Sequence, residues 1–271
     1  MSAKKVLISG AGSGLGQALA IKYAAQGAQV CVSDINPEGG AQTVAKITEA
    51  GGEAFYLNCD ITQQWDVDKL AINLAERWQS LDVLVNNAGI ATAGSLESES
   101  MEQWQSVIDI NLLGHVRMTK AMLSLLKNSS ANDRAIINIA SQAGITAGPK
   151  MGSYCVTKAS MVSYSEVAYL ELAPEGIHVA VACPAFLDTN LNKSLRSDDP
   201  KMQSLVTKLI KKSGVTATEV AEKIISSVDA KKFMIITHKD GLKTYRLRRF
   251  LPMERYLKIV LKRMEKYSKK S

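Results

Sequence analysis

The chain holds little that would tie it to an oxidising compartment, a membrane interior or a metal. Its four cysteines, Cys31, Cys59, Cys155 and Cys183, lie far apart in 271 residues, with no Cys-x-x-Cys pair and no neighbouring histidine cluster. They suit free thiols in a reducing compartment, and neither a disulfide frame nor a zinc site, so no metal is expected. The three histidines, His115, His178 and His238, share no ligand spacing and are read as surface or structural. No run approaches the ~18 uninterrupted apolar residues of a spanning helix. The lysines and short apolar run within Met1–Gly10 lead into a glycine-rich loop, so this start reads as a strand and not as a signal peptide. A soluble, cytoplasmic protein is expected.

Charge of one sign is missing from most of the chain as well. The net charge is +7, but residues 242–271 hold eleven Lys or Arg against two Glu, a local +9, which leaves 22 basic and 24 acidic residues elsewhere. The body is therefore near neutral, no basic groove recurs in it, and no nucleic acid is expected as a partner.

What the chain does have is alternation. Short apolar runs at Val6–Ile8, Gln29–Asp34, Ala54–Asp60, Leu81–Asn86, Arg134–Ser141, Ile177–Cys183 and Phe233–Thr237 read as strands. Between them lie helical stretches: one carrying Leu15, Leu19 and Tyr23, then Glu38–Ala50, one N-capped by Thr62, one from about Ser100 to Lys127, and one ending near Leu172. Continuous apolar strands alternating with helices imply an α/β fold: a doubly wound, parallel, seven-stranded sheet with helices on both faces. With no repeat, low-complexity tract or linker, residues 1–241 read as one domain and 242–271 as an appended basic amphipathic tail.

In such a sheet ligands bind beyond the carboxyl ends of the strands, and two motifs fall there. Ser9-Gly10-Ala11-Gly12-Ser13-Gly14-Leu15-Gly16 joins the first strand to the first helix. Its useful glycines are Gly10, Gly14 and Gly16. They allow a tight turn and the approach of a pyrophosphate to backbone N–H groups, while Leu15 breaks the Gly-x-Gly-x-x-Gly spacing. No Gly-Lys-Ser/Thr follows, which excludes a Walker loop. Asp34 ends the second strand, where a carboxylate accepts hydrogen bonds from the ribose hydroxyls of NAD and repels a 2′-phosphate. Neither Ser13 nor Ile35 supplies the cation that NADP would want, so NAD is favoured over NADP.

The second motif is Ser153-Tyr154-Cys155-Val156-Thr157-Lys158, with Ser141 thirteen residues before the tyrosine. On a helix Tyr154 and Lys158 share a face, one turn apart. A phenol of pKa ~10 is a poor base at neutral pH, and a nearby ammonium lowers it into a useful range. Ser141 can hold a carbonyl or alcohol oxygen against the tyrosine.

These motifs together resemble the short-chain dehydrogenase/reductase family of NAD(P)-binding Rossmann proteins, over Lys4 to Thr237. The resemblance also rests on Asp60, on Asn86-Asn87-Ala88-Gly89 after the fourth strand, on Asn111, on Pro184 and on Thr189. Ala185 stands where the family usually has glycine. The resemblance implies that Tyr154 is the acid–base and that Lys158 lowers its pKa and holds the nicotinamide ribose. It implies further that Ser141 orients the substrate and that Asn111 anchors a water relaying protons to Lys158. Asp60 and Ile61 would meet the adenine, Asn87 the adenosine side, and Phe186, Leu187 and Thr189 the carboxamide end, with Ala88, Gly89 and Pro184 also among the cofactor-binding residues. A homodimer or homotetramer, built on the helices containing Asn111 and Tyr154, is implied too. A dinucleotide-binding regulatory protein without chemistry is the rival, and retention of Ser141, Tyr154 and Lys158 speaks against it.

Residues 187–214 read as a lid with Met202, Leu205, Val206, Leu209 and Ile210 at amphipathic spacing. With Ile145, Met151 and Phe186, they suggest a bulky hydrophobic alcohol or carbonyl substrate. Cys155, Trp65, Trp78 and Trp104 are read as packing residues. In the tail Phe250, Met253, Leu257, Val260, Met264 and Tyr267 recur in steps of three and four, with Arg255, Lys258, Lys262, Arg263 and Lys266 on the other faces and Pro252 suited to a first helical turn. Such a helix lies on an anionic membrane, packs on a partner subunit or docks on its own domain.

Overall fold

Seven parallel strands form one sheet in the computed structural model, which describes residues 3–185, 195–196 and 214–268. They are β1 (Lys5–Ser9), β2 (Gln29–Asp34), β3 (Glu53–Asn58), β4 (Val83–Asn86), β5 (Ala135–Ile139), β6 (His178–Cys183) and β7 (Met234–Ile236), arranged β3-β2-β1-β4-β5-β6-β7. The order reverses between β1 and β4, which opens a crevice at their carboxyl ends.

Side chains alternate across β1 and so feed two cores. Val6 and Ile8 meet Leu19 and Tyr23 of α1 (Gly14–Ala25) and Ile47 of α2 (Pro37–Glu49). Leu7 faces the other way, toward Leu70 and Leu74 of α3 (Gln64–Trp78) and a later helix that brings Met118, Met122 and Leu126. Each such side chain contributes roughly 1.5–3 kcal/mol on leaving water, so neither face of the sheet can be left bare.

The expected helix from about Ser100 to Lys127 runs unbroken from Met101 to Asn128, with a π-turn inside it. α4 (Met101–Ile108) runs into a π-turn at Asp109–Leu113 and then into α5 (Gly114–Asn128). Thr62 is not a cap; Gln63 precedes α3, and the Thr62 backbone N–H and hydroxyl both donate to Asp60. The short α6 (Gln142–Ile145) leads to α7 (Gly152–Leu172). α8 (Ala217–Asp229), absent from the elements expected, starts at a reciprocal cap between Thr216 and Glu219. Trp78 is buried, whereas Trp65 is 64% exposed and anchors nothing. Its place in the first turn of α3 lies on the solvent side of that helix.

The chain ends in α9 (Lys239–Phe250) and α10 (Met253–Ser268). The expected boundary between residues 241 and 242 falls inside α9. Among the described residues no helix is long and apolar enough to cross a membrane.

Candidate active site

The glycine turn is built by close approach. Gly10 and Gly14 have φ of +64° and +57°, backbone that a Cβ resists. A Cβ on Gly16 would stand 2.1 Å from the Gly10 carbonyl oxygen, and one on Gly10 would stand 2.7 Å from the Ala88 Cα. Asn87 fastens this turn to β4, its Nδ2 donating to the carbonyls of Ser9 and Gly10 at 3.0 Å each. The first turn of α1 carries no acidic residue, and the Ser13 side chain does not cap it. Its N–H groups are therefore available to an anion.

Gly12, which the sequence spacing did not single out, completes the cradle. Its N–H donates to Asp34 Oδ2 at 2.8 Å, and a Cβ there would meet that carboxylate at 2.9 Å. Asp34 Oδ1 accepts from the Asn36 N–H at 2.9 Å. The carboxylate is thus fixed at the end of β2, with Ile35 exposed beside it.

At the far end of the crevice Ser141, Tyr154 and Lys158 come together. Lys158 is 4% exposed, donates from Nζ to the Ile139 carbonyl at 2.9 Å, and lies 5.9 Å from the centre of the Tyr154 ring. Burial pulls it down to about 8. Tyr154 is buried, and that burial holds its phenol above the ordinary tyrosine value; a hydrogen bond with Ser141 opposes the rise, and the Cys155 and Cys183 thiols add to it. Desolvation of the phenolate is thus the largest influence on this phenol in the protein alone. Ser141 Oγ accepts from the Ala143 N–H at 3.1 Å, and its proton reaches the Pro184 carbonyl only at 3.4 Å. That weakly held proton can turn to another oxygen.

Asn111 lies in the π-turn, fully buried, with Oδ1 accepting from the Ile90 N–H and Nδ2 donating to the Ile90 carbonyl, both at 2.9 Å. Gly89 leaves room beside it: a Cβ there would sit 3.0 Å from Asn111 Oδ1 and 3.5 Å from Lys158 Nζ. His115 is structural, its Nε2 2.6 Å from the Ala88 carbonyl and burial pulling its pKa to about 3.

Glu99 is the residue that sequence reading missed. Its Oε2 accepts from the Ser153 N–H and its Oε1 from the Ser153 hydroxyl, both at 2.9 Å, and it is 8% exposed. It thus caps α7 one residue before Tyr154 and complements the dipole of that helix. No spacing could have revealed this, since 54 residues separate the partners.

A cavity of about 980 Å³ joins both ends. Gly10, Ser13, Gly14, Leu15, Asp34, Ile35, Asp60, Ile61, Asn87, Ala88 and Gly89 line one part of it. Ser141, Tyr154, Lys158 and Pro184 line the other, with Met151 and Ala185. Gly16 lies beneath the turn and Asn111 behind Gly89. Ile145, expected near the substrate, is buried behind the wall, where its carbonyl takes a hydrogen bond from Arg248. Asp240, Gly241 and Thr244 of α9 add a wall that the sequence did not foretell. Phe186, Leu187 and Thr189 lie outside the described residues, as does the expected lid over 187–214 apart from Leu195, Arg196 and Gly214.

The family model described as short chain dehydrogenase matches residues 4–200. The chain belongs to the short-chain dehydrogenase family. Among its relatives this dehydrogenase is 35% identical over 200 residues to a 3-oxoacyl-[acyl-carrier-protein] reductase of Synechocystis, covering 73% of this chain and 80% of that one. It is 34% identical over 188 residues to a sorbitol dehydrogenase of Cereibacter sphaeroides, covering 69% and 72%. The crystal structure of a short-chain dehydrogenase/reductase from Burkholderia phymatum in complex with NAD superposes with a TM-score of 0.84 at 28% identity, over 92% of this chain and 93% of that one. This short-chain dehydrogenase therefore has the Rossmann fold and the nucleotide-binding, oxidoreductase character of its family.

Proposed function

We propose that this short-chain dehydrogenase uses NAD to interconvert an alcohol and a ketone or aldehyde whose body is apolar. The observation that carries the reading is the convergence of Ser141, Tyr154 and Lys158 at one end of a cavity whose other end is closed by Asp34. The bare glycine turn and the uncapped start of α1 fit a pyrophosphate. The Asp34 carboxylate suits two ribose hydroxyls, and a 2′-phosphate would meet its charge. When bound, the dinucleotide supplies the site that accepts or gives up hydride.

The side chains do the rest. A substrate oxygen held between Ser141 and Tyr154 receives the serine proton as a hydrogen bond. In oxidation Tyr154 takes the hydroxyl proton, and in reduction it returns one. Lys158, titrating near 8, keeps its charge at neutral pH and favours the phenolate. The positive charge of an oxidised nicotinamide adds to this, and the two together are what can overcome the desolvation that raises the phenol in the protein alone. Asn111 holds the Gly89–Ile90 backbone so that a water in the space beside Gly89 can pass protons to Lys158. Met151 and Ala185 offer apolar surface to the substrate, while Gln142 and Thr244 can meet a polar group on it. The two curated relatives act on quite different molecules by name, so the pocket wall and not their names supports this choice.

A silent dinucleotide-binding protein would have no use for a buried lysine beside a buried tyrosine. Exposed Val156, Val167 and Leu170 on α7, with Leu113 in the π-turn, support assembly as a homodimer or homotetramer through these helices.

The test is Tyr154→Phe, assayed with a panel of hydrophobic alcohols and ketones by NADH absorbance. Turnover should fall by roughly 10²–10⁴, the usual worth of general acid–base catalysis, while NADH still binds. Wild-type turnover by the variant would sink the assignment.

A further inference from the structure

The last two helices carry an apolar face that the domain leaves bare. On α10 Tyr256 is 4% exposed, whereas Met253, Leu257 and Leu261 are 46, 50 and 58% exposed, and Phe250 at the end of α9 is 81% exposed. At 100° per residue Met253, Leu257 and Leu261 fall within about 80° of the helix. Arg255, Lys258 and Lys262, all exposed, occupy the arc beyond Glu254. None of these three cations, nor Arg246 and Arg249 of α9, has an ion-pair partner among the described residues.

Charge decides what covers this face. Residues 242–271 carry +9 and the rest of the chain −2, so the net charge of the body offsets only a small part of the tail's. A second copy, paired face to face about a two-fold axis, would set one cation cluster against the other. Nucleic acid would satisfy the cations and leave four large apolar side chains in water. An anionic bilayer meets both demands, with headgroup phosphates for the cations and the acyl boundary for the apolar arc.

We propose that α9 and α10 lay this enzyme on an anionic lipid surface, with Phe250, Met253, Leu257 and Leu261 entering the headgroup–acyl boundary. The same α9 walls the cavity through Asp240, Gly241 and Thr244, so the substrate end of the site would lie close to the lipid.

The full chain should be sedimented with vesicles of phosphatidylcholine alone and of phosphatidylcholine with phosphatidylglycerol. The bound fraction should be about tenfold higher or more on the anionic vesicles and should fall with added salt. Two variants separate the contributions: Phe250→Ser with Met253→Ser, Leu257→Ser and Leu261→Ser, and Arg255→Glu with Lys258→Glu and Lys262→Glu. Each should lose binding while keeping wild-type turnover without lipid, which also shows that it has folded. Wild-type protein that ignores both vesicles, or binds both equally, overturns the proposal, whatever the variants do. So does an apolar variant whose oligomer dissociates in the ultracentrifuge while lipid binding is unchanged, since a second copy would then be the occupant.

Discussion

Replacing Lys158 with methionine should inactivate the enzyme and stabilise its cofactor-free form at neutral pH. Lys158 is 4% exposed and, among the described residues, its ammonium has one hydrogen bond, to the Ile139 carbonyl. Burial moves its pKa from 10.5 to about 8, and at ~1.4 kcal/mol per unit the charged form costs the fold about 3 kcal/mol. Methionine fills a similar volume without the charge but leaves the Ile139 carbonyl unpaired, a loss of about 1 kcal/mol. The net gain is then about 2 kcal/mol, or a thermal midpoint raised by roughly 4–8 °C for a chain of this size. The sign with pH follows from proton counts. Below about 8 both folded and unfolded lysines are charged and the cost is present in full. Between 8 and 10.5 the folded protein gives up the proton first, the unfolded chain binds more protons, and wild-type stability rises relative to the variant. Melting curves of both proteins without cofactor, from neutral pH to above 10, test this. A variant melting below wild type at neutral pH, or a gap between the two that does not narrow as pH rises, would refute the reasoning.

Three further outcomes are expected. Asp34→Ser should shift the NADP-over-NAD ratio of kcat/KM by roughly tenfold toward NADP, the ~1.4 kcal/mol worth of one removed repulsion; an unchanged ratio would show that Asp34 does not face the ribose. Gly16→Ala pushes a methyl into the Gly10 carbonyl and should cost about 1–3 kcal/mol of stability, read by denaturant titration together with weakened NADH binding. Glu99→Ala should lower stability by roughly 1–3 kcal/mol by leaving the Ser153 N–H unpaired, and turnover should fall with it. Glu99→Gln retains an acceptor and should recover most of both, and equal damage from the two would mean that the charge at the start of α7 is what matters.

Local rules made part of the site readable in advance. The turn at Gly10 to Gly16, the carboxylate at the end of β2 and the one-turn spacing of Tyr154 and Lys158 each depend on residues close in sequence. Chain direction and strand alternation then carry them to the same edge of the sheet. α8 obeyed the same rules and was overlooked: Thr216 and Glu219 form a capping box, and Val220, Ile224 and Val228 keep a helical period. It was obscured by its place after a stretch read as a lid.

From its residues alone this chain is bound to a parallel sheet with a tight glycine turn and a tyrosine–lysine pair, because backbone geometry and hydrophobic period act over a few residues. The fold decided what proximity across the chain decides. It brought Glu99 under Ser153, made α9 a wall of the cavity, buried Tyr256 while leaving Leu257 in water, and took the Tyr154 phenol and the Lys158 ammonium out of water together. Those outcomes turn on which groups lose their water and on what replaces it, and that is settled only when distant segments meet.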